Sequence, residues 1–345
     1  MTRRTIVHPS AWKATEFSSK EDIAIRLTAD DLSALDVALG KVRHKEPSAV
    51  QIDEFDLRSL RDRIDSIRRE ILHGRGISIL RGIPVDKYNP EEIAHIVWGL
   101  GLHLGVAVSQ SQHGDRLGHV VDVSRDQPGE RGYRSRKALS LHTDSDDIVM
   151  MTCIKQAKHG GVNRFASAPA IYNEILATKP HLLEPLFEGF RYHWRGEQMP
   201  GAPPITEYKV PVFSQIDGVL SCVFLREFID MAADDLGQPL SALETEALEY
   251  FQTVADREDI CFQMLLEPGD AFMINNFTVL HSRTAFEDFD EPKKRRHLLR
   301  LWLKVAGERS LADGVQRFYG VDGIQQNDNP QTVYIHESHQ SSNAL

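Results

Sequence analysis

EPGDAFMINNFTVLH, at residues 267–281, combines a tight turn, an apolar run and a histidine. Pro-Gly-Asp at 268–270 is a turn signal between two β-rich runs, 261–266 and 271–275. We therefore predict two consecutive strands here, with His281 shortly after the second. The fold prediction and the site prediction both start from this stretch.

Further short β-rich runs lie mostly upstream of this stretch. They fall at 77–80, 119–123, 139–143, 148–154, 162–166, 210–213, 219–225 and 298–305. Helix-period patterns occur within 28–73, and further helices are predicted at 90–104, 169–177, 181–187 and 241–254. This order predicts an α+β fold, and a double-stranded β-helix (jelly roll) flanked by helices fits it. The pattern alone does not separate a jelly roll from another sandwich.

Local signals support individual elements. Asp217-Gly218 between two β-rich runs predicts a hairpin, and Ser241 with Glu244 forms a capping box that opens a helix. No internal repeat or low-complexity linker marks a domain boundary. We predict a single catalytic domain at 1–305, with a helical N-terminal part at about 28–104, inserted helices, and a polar C-terminal tail at 306–345.

Two residues upstream of this region have the spacing of a metal site. In Leu139-Ser140-Leu141-His142-Thr143-Asp144, an extended chain would point His142 and Asp144 to the same face. Together with His281 they form a set of two histidines and one carboxylate, which leaves coordination positions open on an iron(II) ion. Because the chain has 15 histidines, a His-x-Asp triplet also arises by chance, and a surface location is the alternative.

A run of basic residues follows His281. In a strand, Arg296 and Arg300 share one face, whereas Arg295 points away. A solvated charge run explains Lys293 and Lys294, but Arg300 interrupts an apolar strand, where an unpaired charge would be costly. Arginine binds carboxylates in a bidentate manner, so an anion in the interior is the simplest explanation.

Taken together, these motifs resemble the taurine/clavaminate-synthase-like branch of the 2-oxoglutarate-dependent dioxygenases. The resemblance covers about residues 76–305, and the motifs that carry it are His142-Thr143-Asp144, Gly160-Gly161-Val162-Asn163, Phe165-Ala166-Ser167, Pro268-Gly269-Asp270, His281-Ser282-Arg283-Thr284-Ala285-Phe286 and the Arg296…Arg300 strand. It implies a distorted jelly-roll core with the metal at its mouth. It also implies Fe(II), with 2-oxoglutarate and O2 as co-substrates.

The resemblance assigns roles to individual residues as well. It implies that Arg296 holds the C5 carboxylate of 2-oxoglutarate, helped by Asn163, where relatives carry a hydroxyl residue. In relatives, the arginine at the position of Arg300 lies beside the co-substrate or contacts an acidic substrate, so the resemblance leaves both roles open for Arg300. Asp144 is present, which argues against the halogenating variants, where this position is small.

The function implied is oxidative decarboxylation of 2-oxoglutarate coupled to C–H hydroxylation, desaturation or cyclisation of a small polar metabolite, with a carboxylate as one candidate group. Candidate substrate contacts are Arg131, Arg134, Arg136, Arg226, Tyr133, Tyr192 and Trp194. One alternative is a cupin-like metal oxygenase or isomerase, which would give no reason for the two arginines on one face. The other is a non-catalytic jelly-roll binding module, which would bind no iron.

Composition limits the partners. The net charge of −10 argues against nucleic acid as a main partner. Three cysteines in apolar stretches suggest a reducing compartment, and neither a secretory signal nor an apolar run long enough to cross a membrane is evident. We predict a cytoplasmic enzyme that acts on a small molecule, and the sequence leaves homo-oligomer formation open.

Overall fold

The computed structural model describes residues 3–123, 135–199, 201–315 and 323–326. The α-helices within these ranges are α1 (Ala29–Val42), α2 (Arg61–His73), α3 (Pro90–Leu102), α4 (Ala168–Thr178), α5 (Leu183–Glu188), α6 (Arg226–Leu236) and α7 (Ala242–Asp256). None of the helices in this part of the chain has the length and apolar character needed to span a bilayer.

The strands form two main sheets. They are β1 (Ala24–Arg26), β2 (Ile77–Arg81), β3 (Val106–Ala107), β4 (Leu117–Val120), β5 (Ile148–Lys155), β6 (His159–Gly160), β7 (Asn163–Ser167), β8 (Phe213–Ile216), β9 (Val219–Cys222), β10 (Cys261–Met264), β11 (Ala271–Asn275), β12 (Val279–Arg283), β13 (Phe286–Glu287) and β14 (His297–Lys304). The large sheet has the order β1-β2-β11-β5-β14-β3, with β4 also paired to β14, and the small sheet has the order β10-β7-β12. Apart from the parallel pair β1–β2, the pairings in both sheets are antiparallel.

The two sheets pack face to face. Phe165 of the small sheet and Phe272 of the large sheet lie with ring centroids 5.0 Å apart, and both belong to one buried cluster. Neighbouring residues on the same strands, Ala166 and Met273, belong instead to clusters on the outer faces. Side chains therefore alternate between the inter-sheet core and the covering helices, as strand geometry requires.

Helices cover both outer faces. Helices α1, α2 and α3 pack on the outer face of the large sheet, and α4, α5 and α7 pack on the small sheet. Capping boxes start several of them: Thr28 begins α1, Asn89 begins α3 and Ser241 begins α7. The capping box at Ser241 was recognised in the sequence, and the mixed fold of sheets and flanking helices is confirmed.

Strand β14 shows the alternation that matters for the site. Leu299, Leu301 and Leu303 pack toward the helices of the large sheet. Leu298 and Trp302 face the inter-sheet core. Arg300 has the same parity as these two and is 5% exposed, so a buried cation points into the space between the sheets.

The hairpin predicted at Asp217-Gly218 is confirmed. It joins β8 to β9, and both turn residues have positive φ, 50° for Asp217 and 84° for Gly218. In contrast, the predicted strand at 139–143 is wrong. Only His142 pairs with His281, and the Leu139 amide bonds to the Arg283 carbonyl one position out of that register, so no continuous ladder forms.

Three further details were not predicted. His281 follows β11 as expected, but it also lies within a strand of its own, β12, opposite Phe165. Helix α6 was not predicted, because the residue before it, Leu225, provides no side-chain cap. Part of the polar tail packs inward: Val315 and Ile324 are buried.

Candidate metal centre

The structure brings together the three side chains that the sequence singled out. One potential ligand atom from each of His142, Asp144 and His281 lies within 4.8 Å of the others. The Nε2 atom of His142 is 3.8 Å from Asp144 Oδ1, and the Nε2 atom of His281 is 3.6 Å from Asp144 Oδ2. No other group of three such residues in the described ranges has this geometry.

Backbone hydrogen bonds fix these positions. The His142 amide donates to the His281 carbonyl at 3.1 Å, and the His281 amide donates to the His142 carbonyl at 2.9 Å. Between the two ligand candidates, Thr143 turns away and pairs with the backbone of Phe224. The Asp144 amide donates to Asn276 Oδ1 at 2.8 Å. His142 and Asp144, two residues apart, therefore reach the same group of side chains although no regular strand forms there.

Both imidazoles are prepared to act as ligands. The Nδ1 atom of His142 lies 2.8 Å from the Ser140 carbonyl, which accepts its proton and leaves Nε2 free. Burial, followed by repulsion from His142, lowers the pKa of His281 to about 3. His281 is therefore neutral at physiological pH, as metal binding requires.

Asp144 remains ionised although it is partly buried. Burial alone would raise the pKa of its carboxyl group, but the nearby charge of Arg300 and the Trp302 hydrogen bond hold the pKa below its usual range. The Trp302 Nε1 atom donates to Asp144 Oδ2 at 2.8 Å. Two imidazoles and one carboxylate are the donor set that suits non-heme iron(II).

A cavity of about 520 Å³ opens beside this group. Arg300 and Trp302 form part of its inner wall, and Glu197 and residues of α6 form its outer wall. Two of the ligand candidates, His142 and Asp144, line this cavity and are therefore reachable by a small molecule, whereas His281 is buried behind them.

Arg296 and Asn163 meet at a second, smaller pocket. Both side chains line it, both residues are 4% exposed, and neither side chain hydrogen bonds to a described residue. Burial lowers the pKa of Arg296 to about 10, so the guanidinium is still a cation at neutral pH. A buried cation without an ion-pair partner among the described residues suits a carboxylate ligand.

Arg300 is held differently. Its Nε donates to Gln110 Oε1 at 2.6 Å, and its NH1 atom lies 3.6 Å from Asp144 Oδ2. Arg295, by contrast, is half-buried, and its hydrogen bonds to described residues go to backbone carbonyls. Both Arg295 and Arg296 precede β14, and the register shifts between His297 and Leu298, so their different surroundings do not follow from alternation along the strand.

The remaining candidates are scattered. Arg226 lines the metal cavity, Arg136 pairs with Asp122 at 2.9 Å, and Tyr192 is fully buried in the core. Trp194 packs against the inter-sheet cluster. Arg131, Tyr133 and Arg134 lie outside the described residues.

Three residues near the site were not assigned a role from the sequence. Trp302 could have been found, because it shares a strand face with Arg300. Arg283 lies two residues after His281, and its guanidinium donates to the carbonyls of Ser135 and Lys137. Nothing local in the sequence indicated Glu197, since only the tertiary fold brings it to the cavity.

Residues 41–302 match the sequence profile of a protein family described as "Taurine catabolism dioxygenase TauD, TfdA family". The chain belongs to the TauD/TfdA family. FR-33289 synthase of Streptomyces rubellomurinus is 37% identical to this chain over 248 residues. The match covers 70% of this chain and 73% of that protein.

Solved structures share the fold. An asparagine oxygenase in complex with Fe(II), 3-hydroxyasparagine and succinate superposes with a TM-score of 0.66 at 18% identity, covering 88% of this chain and 99% of that chain. The non-heme iron oxygenase OrfP, in complex with Fe and α-ketoglutaric acid, gives 0.62 at 16% identity, covering 88% and 100%. At these identities the likeness concerns the fold alone.

Family membership confirms the expected activity class. The chain is an iron(II)- and 2-oxoglutarate-dependent dioxygenase that acts on a small molecule. The cupin-like and non-catalytic alternatives are no longer needed to explain the buried histidines and carboxylate.

Proposed function

We propose that His142, Asp144 and His281 bind the iron, and that Arg296 and Asn163 bind the far carboxylate of 2-oxoglutarate. The observation that carries this assignment is the pairing of two features: a group of two histidines and one carboxylate, and a buried arginine with no ion pair to a described residue. We further infer that the two packed sheets form a distorted double-stranded β-helix, and that residues 1–305 act as one catalytic domain.

Iron(II) with bound 2-oxoglutarate supplies the O2 activation that oxidises a substrate C–H bond. The protein residues prepare the site for this. Ser140 keeps the His142 proton on Nδ1, and Trp302 and Arg300 hold the Asp144 carboxylate in place. Arg296 orients the co-substrate through a charge-assisted contact that a lysine would make less directionally.

We propose that the substrate is a small polar metabolite that carries charged groups, a carboxylate among the candidates. The outer wall of the metal cavity holds two ion pairs, Arg195–Glu227 at 3.1 Å and Arg226–Asp230 at 2.8 Å. Charges of both signs suit a zwitterion, because the carboxylate of such a ligand can pair with one of these arginines and its cationic group with one of the acidic side chains. Hydroxylation is the proposed outcome, with desaturation or cyclisation as variants of it.

Two measurements test this function. Anaerobic addition of Fe(II) and 2-oxoglutarate should produce the charge-transfer absorption of a chelated 2-oxoacid at one iron per chain. Release of succinate should then rise with particular members of a panel of amino acids and other small zwitterions. If one iron fails to bind, the ligand assignment is wrong. If iron and 2-oxoglutarate bind but only apolar compounds stimulate succinate release, the substrate class is wrong.

A further inference from the structure

We propose that Trp302 is a positioning residue that makes Asp144 a one-oxygen ligand: its indole N–H holds Oδ2 and leaves Oδ1 to the metal. This inference rests on the proposed function, because it takes Asp144 to be an iron ligand. It concerns a residue that does not touch the metal itself.

The indole is suited to this task by chemistry and by place. Indole nitrogen is a donor only, so the 2.8 Å contact has one possible direction, from Trp302 Nε1 to the Asp144 carboxylate. Trp302 is 5% exposed and packs in the inter-sheet cluster, which fixes the ring before any metal binds. A buried indole N–H needs a partner, and Asp144 provides it.

A nearby positive charge adds to the hold on Oδ2. The NH1 atom of Arg300 lies 3.6 Å from the same Oδ2, an ion-pair distance, and its guanidinium carbon lies 4.9 Å from the Trp302 ring centroid. Gln110 in turn fixes Arg300 at 2.6 Å. Oδ2 therefore has the indole hydrogen bond and the Arg300 charge besides His281 Nε2 at 3.6 Å, whereas Oδ1 faces His142 Nε2 at 3.8 Å and accepts no hydrogen bond from a described residue. Partners of this kind orient metal ligands, and their loss typically weakens metal affinity by about 10- to 100-fold.

The test uses the metal alone, without turnover. We expect Trp302→Phe, which keeps a ring but loses the N–H, to bind Fe(II) or Co(II) anaerobically about 10-fold more weakly than the unmodified chain. Trp98→Phe is the matched control, because its buried indole donates to the Val50 carbonyl at 3.0 Å, in the cluster on the outer face of the large sheet. That variant should lose stability without losing metal affinity.

A double-mutant cycle separates positioning from packing. In an Asp144→Gly background no carboxylate remains to be held, so adding Trp302→Phe should leave the residual metal affinity unchanged. If Trp302→Phe lowers affinity equally in both backgrounds, it acts through packing and the proposal is overturned. Metal affinity of Trp302→Phe within two-fold of the unmodified chain overturns it as well.

A second variant covers the case in which Trp302→Phe does not fold. Site-specific incorporation of 3-benzothienylalanine at position 302 keeps the bicyclic shape and removes only the N–H. The same loss of metal affinity is expected, and unchanged affinity contradicts the proposal. Failure of the unmodified chain to bind one metal ion would instead reject the proposed function from which this inference starts.

Discussion

At the scale of single residues, the site depends on side chains whose charge states are set before the metal arrives. His281 is neutral because burial makes its protonation costly, and Asp144 is ionised because the Arg300 charge and the Trp302 hydrogen bond outweigh its burial. These two proposed ligands therefore need no change of charge state to bind a metal ion. This arrangement makes each ligand separately testable.

The first prediction concerns the histidines. His142→Ala and His281→Ala should each abolish turnover and weaken iron binding, because each removes one of three ligands, while far-UV circular dichroism stays close to that of the unmodified chain. His181→Ala is a suitable control, since that histidine is exposed in the part of the chain that the structure describes. Full iron binding with more than a few per cent of the turnover in either ligand variant would contradict the assignment.

The second prediction separates two adjacent arginines. Arg296→Ala should weaken 2-oxoglutarate binding by about 2–4 kcal/mol, the cost of losing a charge-assisted bidentate partner. Arg295→Ala should change the apparent KM little, because Arg295 reaches only the carbonyls of Phe289 and Asp290 at 3.4 Å. A titration of succinate release against 2-oxoglutarate measures both. The reverse order of sensitivity would mean that Arg295 faces the co-substrate.

The third prediction concerns the space that Asp144 fills. Asp144→Gly should lose hydroxylation yet keep the charge-transfer band with Fe(II) and 2-oxoglutarate, because both histidines and Arg296 remain. Trp302 and Arg300 would then face the vacated volume with their donors, which suits a small anion. We expect azide or chloride to shift the band of this variant only. Absence of any band at saturating iron and 2-oxoglutarate would show that two histidines do not suffice.

At the scale of elements, glycines before β7 bring two chain segments close together. Gly160 has φ of 75°, and a Cβ there would lie 2.2 Å from the Ala285 carbonyl oxygen. Gly161 has φ of 70°, and a Cβ there would lie 3.3 Å from Arg296 Nε. The Gly-Gly pair that the sequence analysis noted for its family resemblance thus has a steric basis beside the proposed co-substrate pocket.

The close approach at Gly160 yields a stability prediction, with Gly218 as the control. Gly218→Ala should lower the free energy of unfolding by about 1 kcal/mol, because its φ of 84° is unfavourable for alanine but nothing lies within 4 Å of the new Cβ. Gly160→Ala should cost distinctly more, since the backbone of Ala285 must also move. Urea denaturation of the two metal-free variants gives the comparison. Equal losses would show that the Gly160 contact relaxes freely.

The elements also show where sequence analysis succeeds and where it fails. Strands with full burial and helices with capping boxes, such as β11 and α7, were predictable from local pattern. The segment that carries His142 was not, because its pairing slips by one residue and its ladder is interrupted. The two-residue spacing nevertheless brings His142 and Asp144 into one group with His281. The outer wall of the cavity, with Glu197 and α6, depends on long-range packing that no local pattern encodes.

At the scale of the whole molecule, burial protects the thiols of an enzyme that handles O2. Cys153, Cys222 and Cys261 are all buried, and burial raises the pKa of each, that of Cys153 to about 12. Thiolate, the reactive form, is therefore scarce at about pH 8. The negative net charge, the cytoplasmic location and any homo-oligomer remain properties predicted from the sequence.

The last prediction follows from that burial. We expect the native protein to react with none of its three thiols when treated with a thiol-specific disulfide reagent at about pH 8, and to react with all three after denaturation. Addition of Fe(II) should not alter this result, because no cysteine belongs to the proposed ligand set. Rapid labelling of one thiol in the native state would show that its segment opens locally.

The alternation along β14 also limits how such an enzyme can diverge. Inserting or deleting one codon between Leu298 and Trp302 would turn leucines toward the iron and send Arg300 or Trp302 toward the helices. A change of one residue within this stretch would therefore disrupt the site unless a β-bulge absorbed it, as the register shift between His297 and Leu298 does at the start of the strand. We expect a lineage that acquires a new substrate to do so by point substitution on the strand, or by remodelling α6 and the turn at Arg195–Glu197, which line the cavity.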